Sequence, residues 1–209
     1  MSRRSRDGEA RARPQRTVVL VGMMGAGKTA VGMALARLLR IPFRDSDEEI
    51  VRAAGLSIAE IFERDGEAFF RARESEVLAR LLKGPVSVLS TGGGAFMSER
   101  NREQIRASAI SVWLRAEPDL LWQRVRNKTT RPLLRRPDPR ATLEQLHAER
   151  APCYALADMI VDSVPGVSVE AMARRVCEAL AAHHAGAQPA DGRDGTAPAG
   201  DALNEGPAR

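Results

Sequence analysis

Eight consecutive residues carry the clearest chemistry in this chain. Gly22-Met23-Met24-Gly25-Ala26-Gly27-Lys28-Thr29 matches the spacing G-x-x-x-x-G-K-[ST]. Small residues let backbone N–H groups close around phosphate oxygens, and Gly25, Ala26 and Gly27 supply that closeness. A helix opening directly afterwards adds partial positive charge and free N–H donors, among them those of Thr29 and Ala30. Lys28 can reach the β and γ phosphates of a nucleoside triphosphate, and the Thr29 hydroxyl can ligate Mg²⁺. The loop alone states what is bound, not what is phosphorylated.

A second group of residues speaks to the other substrate. Asp45-Ser46-Asp47 follows a short apolar run. One carboxylate could hold Mg²⁺, and the other could accept a substrate hydroxyl's proton. The alternative is a plain helix cap, for which Asp and Ser are favoured. A third apolar run ends in Ser90-Thr91-Gly92-Gly93-Gly94 and lacks the aspartate that ordinarily closes such a strand. That absence shifts weight onto Asp45, and three glycines permit close approach of backbone to a ligand. Arg71 precedes Glu74 by three residues, which on spacing alone favours an ordinary surface pair. The competing reading is a guanidinium oriented for a substrate carboxylate. Residues 124–140 hold seven basic side chains, among them Arg124, Arg131 and Arg140, against Asp138 alone. This stretch fits a mobile lid over a nucleotide, or a solvated charged loop; an RNA patch would want interleaved aromatics, which are missing. The histidines read as surface helix residues, and Trp113 and Trp122 as packing.

These residues need elements to position them. Apolar strand runs at Thr17–Val21, Ile41–Arg44, Val86–Ser90, Ala109–Leu114 and Met159–Asp162 alternate with helical patterns. The helices are predicted at Lys28–Arg40, Glu67–Leu82, from Ser98, from Pro118 to Asn127, at Thr142–Ala155 and at Val167–His183. Ser57-Ile58-Ala59-Glu60 has the capping-box pattern. Alternation of this kind predicts an α/β fold, a parallel sheet of about five strands with helices on both faces.

The composition sets the limits. With 209 residues, 44% hydrophobic and 28% charged, the chain can form one or two domains, and it is not wholly disordered. No stretch approaches the ~20 apolar residues of a membrane span. Cys153 and Cys177 form no CxxC pair, which argues against a disulfide scaffold or a zinc site and makes a reducing cytoplasm the expected compartment. Of the net charge of +5, residues 1–16 carry +4 and residues 186–209 carry −2, leaving +3 on residues 17–185. The first segment is expected to be a disordered basic arm. The last, with six Ala, five Gly and three Pro, is expected to be a disordered tail.

Taken in order, Gly-Met-Met-Gly-Ala-Gly-Lys-Thr, Asp-Ser-Asp, Gly-Glu-Ala-Phe-Phe-Arg, Ser-Thr-Gly-Gly-Gly, Arg-Pro-Leu-Leu and Glu-Arg-Ala-Pro-Cys-Tyr make a specific set. The chain resembles the shikimate kinase family over about residues 17–182. The resemblance implies a three-layer P-loop kinase with a mobile lid at about 124–140. It implies ATP-dependent phosphorylation of the shikimate 3-hydroxyl, in aromatic amino acid biosynthesis, with Mg²⁺. It also implies catalytic roles for Lys28, Asp47 and Arg131. Nucleotide contacts would come from the phosphate loop, Arg124 and Arg131, and metal ligation from Thr29 and Asp45. Shikimate would be bound by Asp47, Arg71, Gly93 and Arg150, with Glu74 orienting Arg71. A monomer that binds neither nucleic acid nor membrane is the corresponding expectation. A kinase for another small hydroxyl acceptor, such as gluconate or a nucleoside monophosphate, and a non-catalytic ligand sensor are the alternatives.

Overall fold

The computed structural model describes residues 14–127 and 137–187. Five strands, β1 (Thr17–Val21), β2 (Phe43–Asp45), β3 (Val88–Ser90), β4 (Ala109–Arg115) and β5 (Met159–Asp162), form one sheet in the order β2-β3-β1-β4-β5. Every pairing is parallel. All five β1 residues are buried, as expected of a central parallel strand with helices on both faces. The described helices are α1 (Lys28–Leu39), α2 (Ser46–Ala54), α3 (Ile58–Leu82), α4 (Glu99–Ser108), α5 (Pro118–Val125), α6 (Pro139–Tyr154) and α7 (Val169–Ala187). The β1–β2 connection runs one way along the sheet, and the later connections run the other. Right-handed crossovers therefore send α1 to one face and α3 and α4 to the opposite one. Packing agrees: α1 lies against α7, and α3 against α4. No described helix is long and apolar enough to cross a membrane.

Local chemistry explains where the elements depart from expectation. The second strand begins at Phe43 rather than Ile41. Arg40 caps α1 in the left-handed region (φ 55°), and the Ile41 N–H bonds back to the Ala36 carbonyl, so Ile41 belongs to the helix stop. α2 adds a helix to the predicted set, at the place where the cap alternative puts its start. Asp45 caps it by accepting from the Asp47 N–H at 3.0 Å. α3 starts at the Ser57–Glu60 capping box and breaks at Gly66 (φ 81°). The predicted helix Glu67–Leu82 is its second half. α6 starts at Pro139 rather than Thr142, because Asp138 caps it.

The expected lid, 124–140, is described only at its two ends. Arg124 belongs to α5, and Pro139 and Arg140 belong to α6, so both ends of the interval 124–140 are helix. Its centre, Arg131 included, lies outside the described residues. The tail boundary also moves: α7 continues through residues 186 and 187, and 188–209 lie outside the described residues. Of the N-terminal arm, Pro14 is buried and the Arg16 guanidinium donates to the Arg106 carbonyl at 2.6 Å. Residues 1–13 are outside the described set.

Two apolar clusters hold the site. The main one unites the sheet with α1, α3, α4, α5, α6 and α7. A smaller one joins Ile50 of α2 to Ile61 and Phe70 of α3, with the Phe62 and Phe70 rings 4.7 Å apart. Burying a Phe side chain contributes on the order of 2–3 kcal/mol, and here it fixes the helix turn that carries Arg71.

Candidate active site

The carboxyl ends of β1, β2 and β3 bring three sequence motifs to one edge of the sheet. Asp45 stands opposite Ser90 in the β2–β3 register, and Leu20 stands opposite Ser90 in the β1–β3 register. The phosphate loop, the Asp-Ser-Asp segment and the Gly-Gly-Gly turn therefore leave adjacent strands side by side. This is where open α/β sheets take ligands.

The phosphate loop adopts the backbone its glycines permit. Gly25 (φ 83°) and Gly27 (φ 93°) lie in the left-handed region, and Gly27 is the residue before α1. Ala26 between them is buried, and Thr29 and Ala30 are exposed in the first turn of α1. The Lys28 ammonium donates to the carbonyls of Gly22 at 2.7 Å and Met23 at 3.0 Å. It is thus folded over the loop it belongs to.

Asp45 caps α2 with one carboxylate oxygen and faces the first turn of α1 with the other. Its Oδ1 accepts from the Asp47 N–H, and its Oδ2 accepts from the Thr29 hydroxyl at 3.1 Å. A hydroxyl and a carboxylate are therefore held together beside the loop. Among the described residues no cluster of three or more Asp, Glu, His or Cys gathers as a metal cage. The Thr29–Asp45 pair suits Mg²⁺ nonetheless, since that ion takes one or two protein oxygens and completes its shell with phosphates and water.

The Gly-Gly-Gly turn is lined by the acceptor-side residues. A Cβ on Gly92 would lie 2.7 Å from Asp47 Oδ1 and 2.9 Å from Glu74 Oε1. A Cβ on Gly94 would overlap the Arg71 guanidinium. At Gly93 the nearest groups would be Arg150 Nη1 at 3.5 Å, the Gly22 carbonyl at 3.7 Å and the Tyr154 hydroxyl at 3.7 Å. Asp47, Glu74, Arg71 and Arg150 come from three different elements, and this turn is where they meet. Only glycine leaves room for them at Gly92 and Gly94.

Arg71 and Glu74 are not the surface pair that spacing alone favours. Glu74 is 1% exposed, and its Oε2 accepts from Arg71 at 2.8 Å. The outer edge of the same guanidinium meets Glu67 at 3.1 Å, and the Phe70 ring centroid lies 5.2 Å from its carbon. Burial works against the charge on Arg71, but Glu74 and Glu67 outweigh it and push the guanidinium pKa up. Burial pushes the Glu74 carboxyl up from the ordinary 4.5, with Arg71 and Arg150 pulling the other way. A folded value above the unfolded one means that this group's stabilising contribution is complete below 4.5 and is lost as pH rises through the folded value. Replacing Glu74 by Gln removes that dependence. The melting temperature of Glu74→Gln, relative to wild type, should therefore rise as pH goes from about 4 to about 7. A difference that stays constant across the range would show that Glu74 ionises as an exposed carboxyl does.

The nucleotide side has one more charged contact. Arg124 donates from Nη1 to the Gly25 carbonyl at 3.3 Å and to the Ser163 hydroxyl at 3.1 Å. Burial lowers its pKa, without depriving an arginine of its charge. Ser163, which follows β5, was not foreseen, because a lone serine in a polar stretch carries no spacing signal. Tyr154 was also missed, although it closes the Glu-Arg-Ala-Pro-Cys-Tyr segment. It is 1% exposed and donates to the Gly93 carbonyl at 2.5 Å.

The arrangement can bind a nucleoside triphosphate, a divalent cation and an anionic hydroxyl compound within one crevice. A family model described as shikimate kinase matches residues 24–181. The chain belongs to the shikimate kinase family. It is 66% identical over 170 residues to a shikimate kinase of Cereibacter sphaeroides, covering 81% of this chain and 85% of that one. It is 62% identical over 166 residues to a shikimate kinase of Ruegeria pomeroyi, covering 79% and 85%. Among solved structures, shikimate kinase from Acinetobacter baumannii in complex with shikimate superposes with a TM-score of 0.78 at 38% identity, covering 81% of this chain and 95% of that one. As a shikimate kinase family member the chain is a P-loop α/β kinase, and its β2-β3-β1-β4-β5 sheet is the expected parallel one.

Proposed function

We propose that this shikimate kinase family member transfers the γ-phosphoryl group of ATP to the 3-hydroxyl of shikimate. The observation that carries this reading is the convergence of Arg71, Arg150 and Asp47 on the Gly92–Gly94 turn, one strand away from the phosphate loop. A small polyol carboxylate asks for that donor and acceptor set: guanidinium for the acid, carboxylate for the hydroxyls. The relative with shikimate in its complex supports the choice of acceptor.

Each residue then has a task. Gly25, Ala26, Gly27, Thr29 and Ala30 present backbone N–H groups to the phosphates. Lys28 leaves its carbonyl partners to follow the charge of the transferring group. Thr29 and Asp45 would hold Mg²⁺, which when bound would offset phosphate charge. Arg124, resting on Gly25, borders the nucleotide. Arg71 and Arg150 take the acceptor's carboxylate, and Gly93 offers its N–H beside them. Asp47 accepts the hydroxyl proton as the hydroxyl oxygen bonds to the γ-phosphorus. The bond from that phosphorus to the β,γ-bridging oxygen breaks, and ADP leaves. Fixing both substrates in one crevice favours transfer to the hydroxyl over transfer to water.

The test is Mg²⁺-dependent ADP release with shikimate, gluconate or nucleoside monophosphates as acceptor, beside a reaction without acceptor. Turnover with shikimate and not with the others is the expected result. Turnover with another acceptor, or equal turnover without any, overturns the assignment of Arg71 and Arg150.

A further inference from the structure

Tyr154 is the chain's single tyrosine, and its hydroxyl is tied on every side. It donates to the Gly93 carbonyl at 2.5 Å. The Arg150 guanidinium, four residues earlier on α6, flanks the same glycine: a Cβ on Gly93 would lie 3.5 Å from Arg150 Nη1 and 3.7 Å from the Tyr154 hydroxyl. Met23 Sδ of the phosphate loop lies 3.9 Å away, and the Trp113 ring packs on the phenol with centroids 5.8 Å apart. The carbonyl only accepts, so the hydroxyl donates to Gly93, which leaves its oxygen lone pairs available to the neighbouring guanidinium.

We propose that Tyr154 is a positioning residue whose single hydroxyl sets both the Arg150 guanidinium and the Gly93 peptide for the substrate. The inference rests on the reading that Arg150 and Gly93 meet the acceptor. Pinning the Gly93 carbonyl fixes the orientation of the turn's backbone, and so of the N–H groups it presents. Bonding to Arg150 restricts a side chain that otherwise has many rotamers, so less entropy is lost when a carboxylate arrives. Burial pushes the phenol pKa up to about 12, with Arg150 pulling the other way, so the hydroxyl keeps its proton and remains a donor at working pH. The Met23 sulfur is a second, weaker acceptor for the same proton, and the Trp113 ring packs on the phenol.

Tyr154→Phe keeps the ring and removes the bridge. Steady-state kinetics should show the shikimate KM rising about tenfold, the size of one hydrogen bond involving a charged group, with the ATP KM unchanged. In the double variant with Arg150→Lys the two losses should be less than multiplicative, because the hydroxyl acts through Arg150. An unchanged shikimate KM, equal rises for both substrates, or fully multiplicative losses overturn the proposal.

A second measurement does not depend on that variant folding. Growth on 3-fluorotyrosine labels this one position, so the protein should give a single ¹⁹F resonance. That resonance should move on adding shikimate to the wild-type sequence and hold still in Arg150→Lys. A resonance indifferent to shikimate, in a protein that phosphorylates it, overturns the proposal. Absence of shikimate turnover in the unlabelled wild type instead removes the functional reading. The ¹⁹F titration is then run with whichever acceptor supports ADP release, with the same two outcomes.

Discussion

Replacing Asp47 by Asn should lower phosphoryl transfer by about 10²–10⁴-fold, the range for loss of a positioned proton acceptor, while ATP binds as before. The side chain keeps its shape, so the change isolates the missing basicity. Asp47 also serves the metal side of the site, but through its backbone: its N–H, not its carboxylate, holds Asp45 Oδ1. The Thr29–Asp45 contact should therefore survive in the variant. Phosphate-loop geometry depends on Gly25 and Gly27 and is likewise untouched. Measuring kcat with saturating shikimate, and ATP affinity by calorimetry, separates the two outcomes. A variant that retains the wild-type rate would show that the hydroxyl proton leaves by another route.

Arg71→Lys and Arg150→Lys should each raise the shikimate KM by about 10–100-fold, corresponding to ~1.5–3 kcal/mol for a hydrogen bond to a charged group, with little change in the ATP KM. Lysine keeps the charge but loses the planar fork that matches a carboxylate. For Arg71 the retained charge matters for folding, because Glu74 is buried against it. Truncation to Ala would leave that carboxylate uncompensated and confound binding with stability. Unchanged shikimate KM in both lysine variants would place the acceptor's carboxylate elsewhere.

Much of this site was legible from short-range pattern. The phosphate loop is a contiguous motif whose chemistry is local: small residues, a lysine and a helix start. The strand–helix alternation that follows it also reads directly from apolar spacing. The Asp45 alternatives stayed open because a helix cap and a metal carboxylate demand the same residue type at the same place. In the fold one oxygen caps α2 and the other accepts from the Thr29 hydroxyl. α2 is nine residues long and buries a single apolar side chain, Ile50, which offers too few positions for apolar spacing to mark a helix.

The residues thus determined by themselves a phosphate-binding loop and a parallel α/β sheet. Those facts follow from steric permissiveness, charge and periodicity within a few consecutive residues. Only the tertiary structure decided that Glu74 is buried against a half-exposed Arg71 rather than joining it in a surface pair. Spacing of three on a helix is the same in both cases, and the difference lies in what packs over it: the Gly92–Gly94 turn, 20 residues away in sequence and adjacent in space. The same holds for Tyr154, whose significance comes from contacts with Gly93 and Met23 across 61 and 131 residues. Long-range contacts of this kind exist only once the parallel sheet has placed β1 and β3 side by side and α6 has packed over their carboxyl ends.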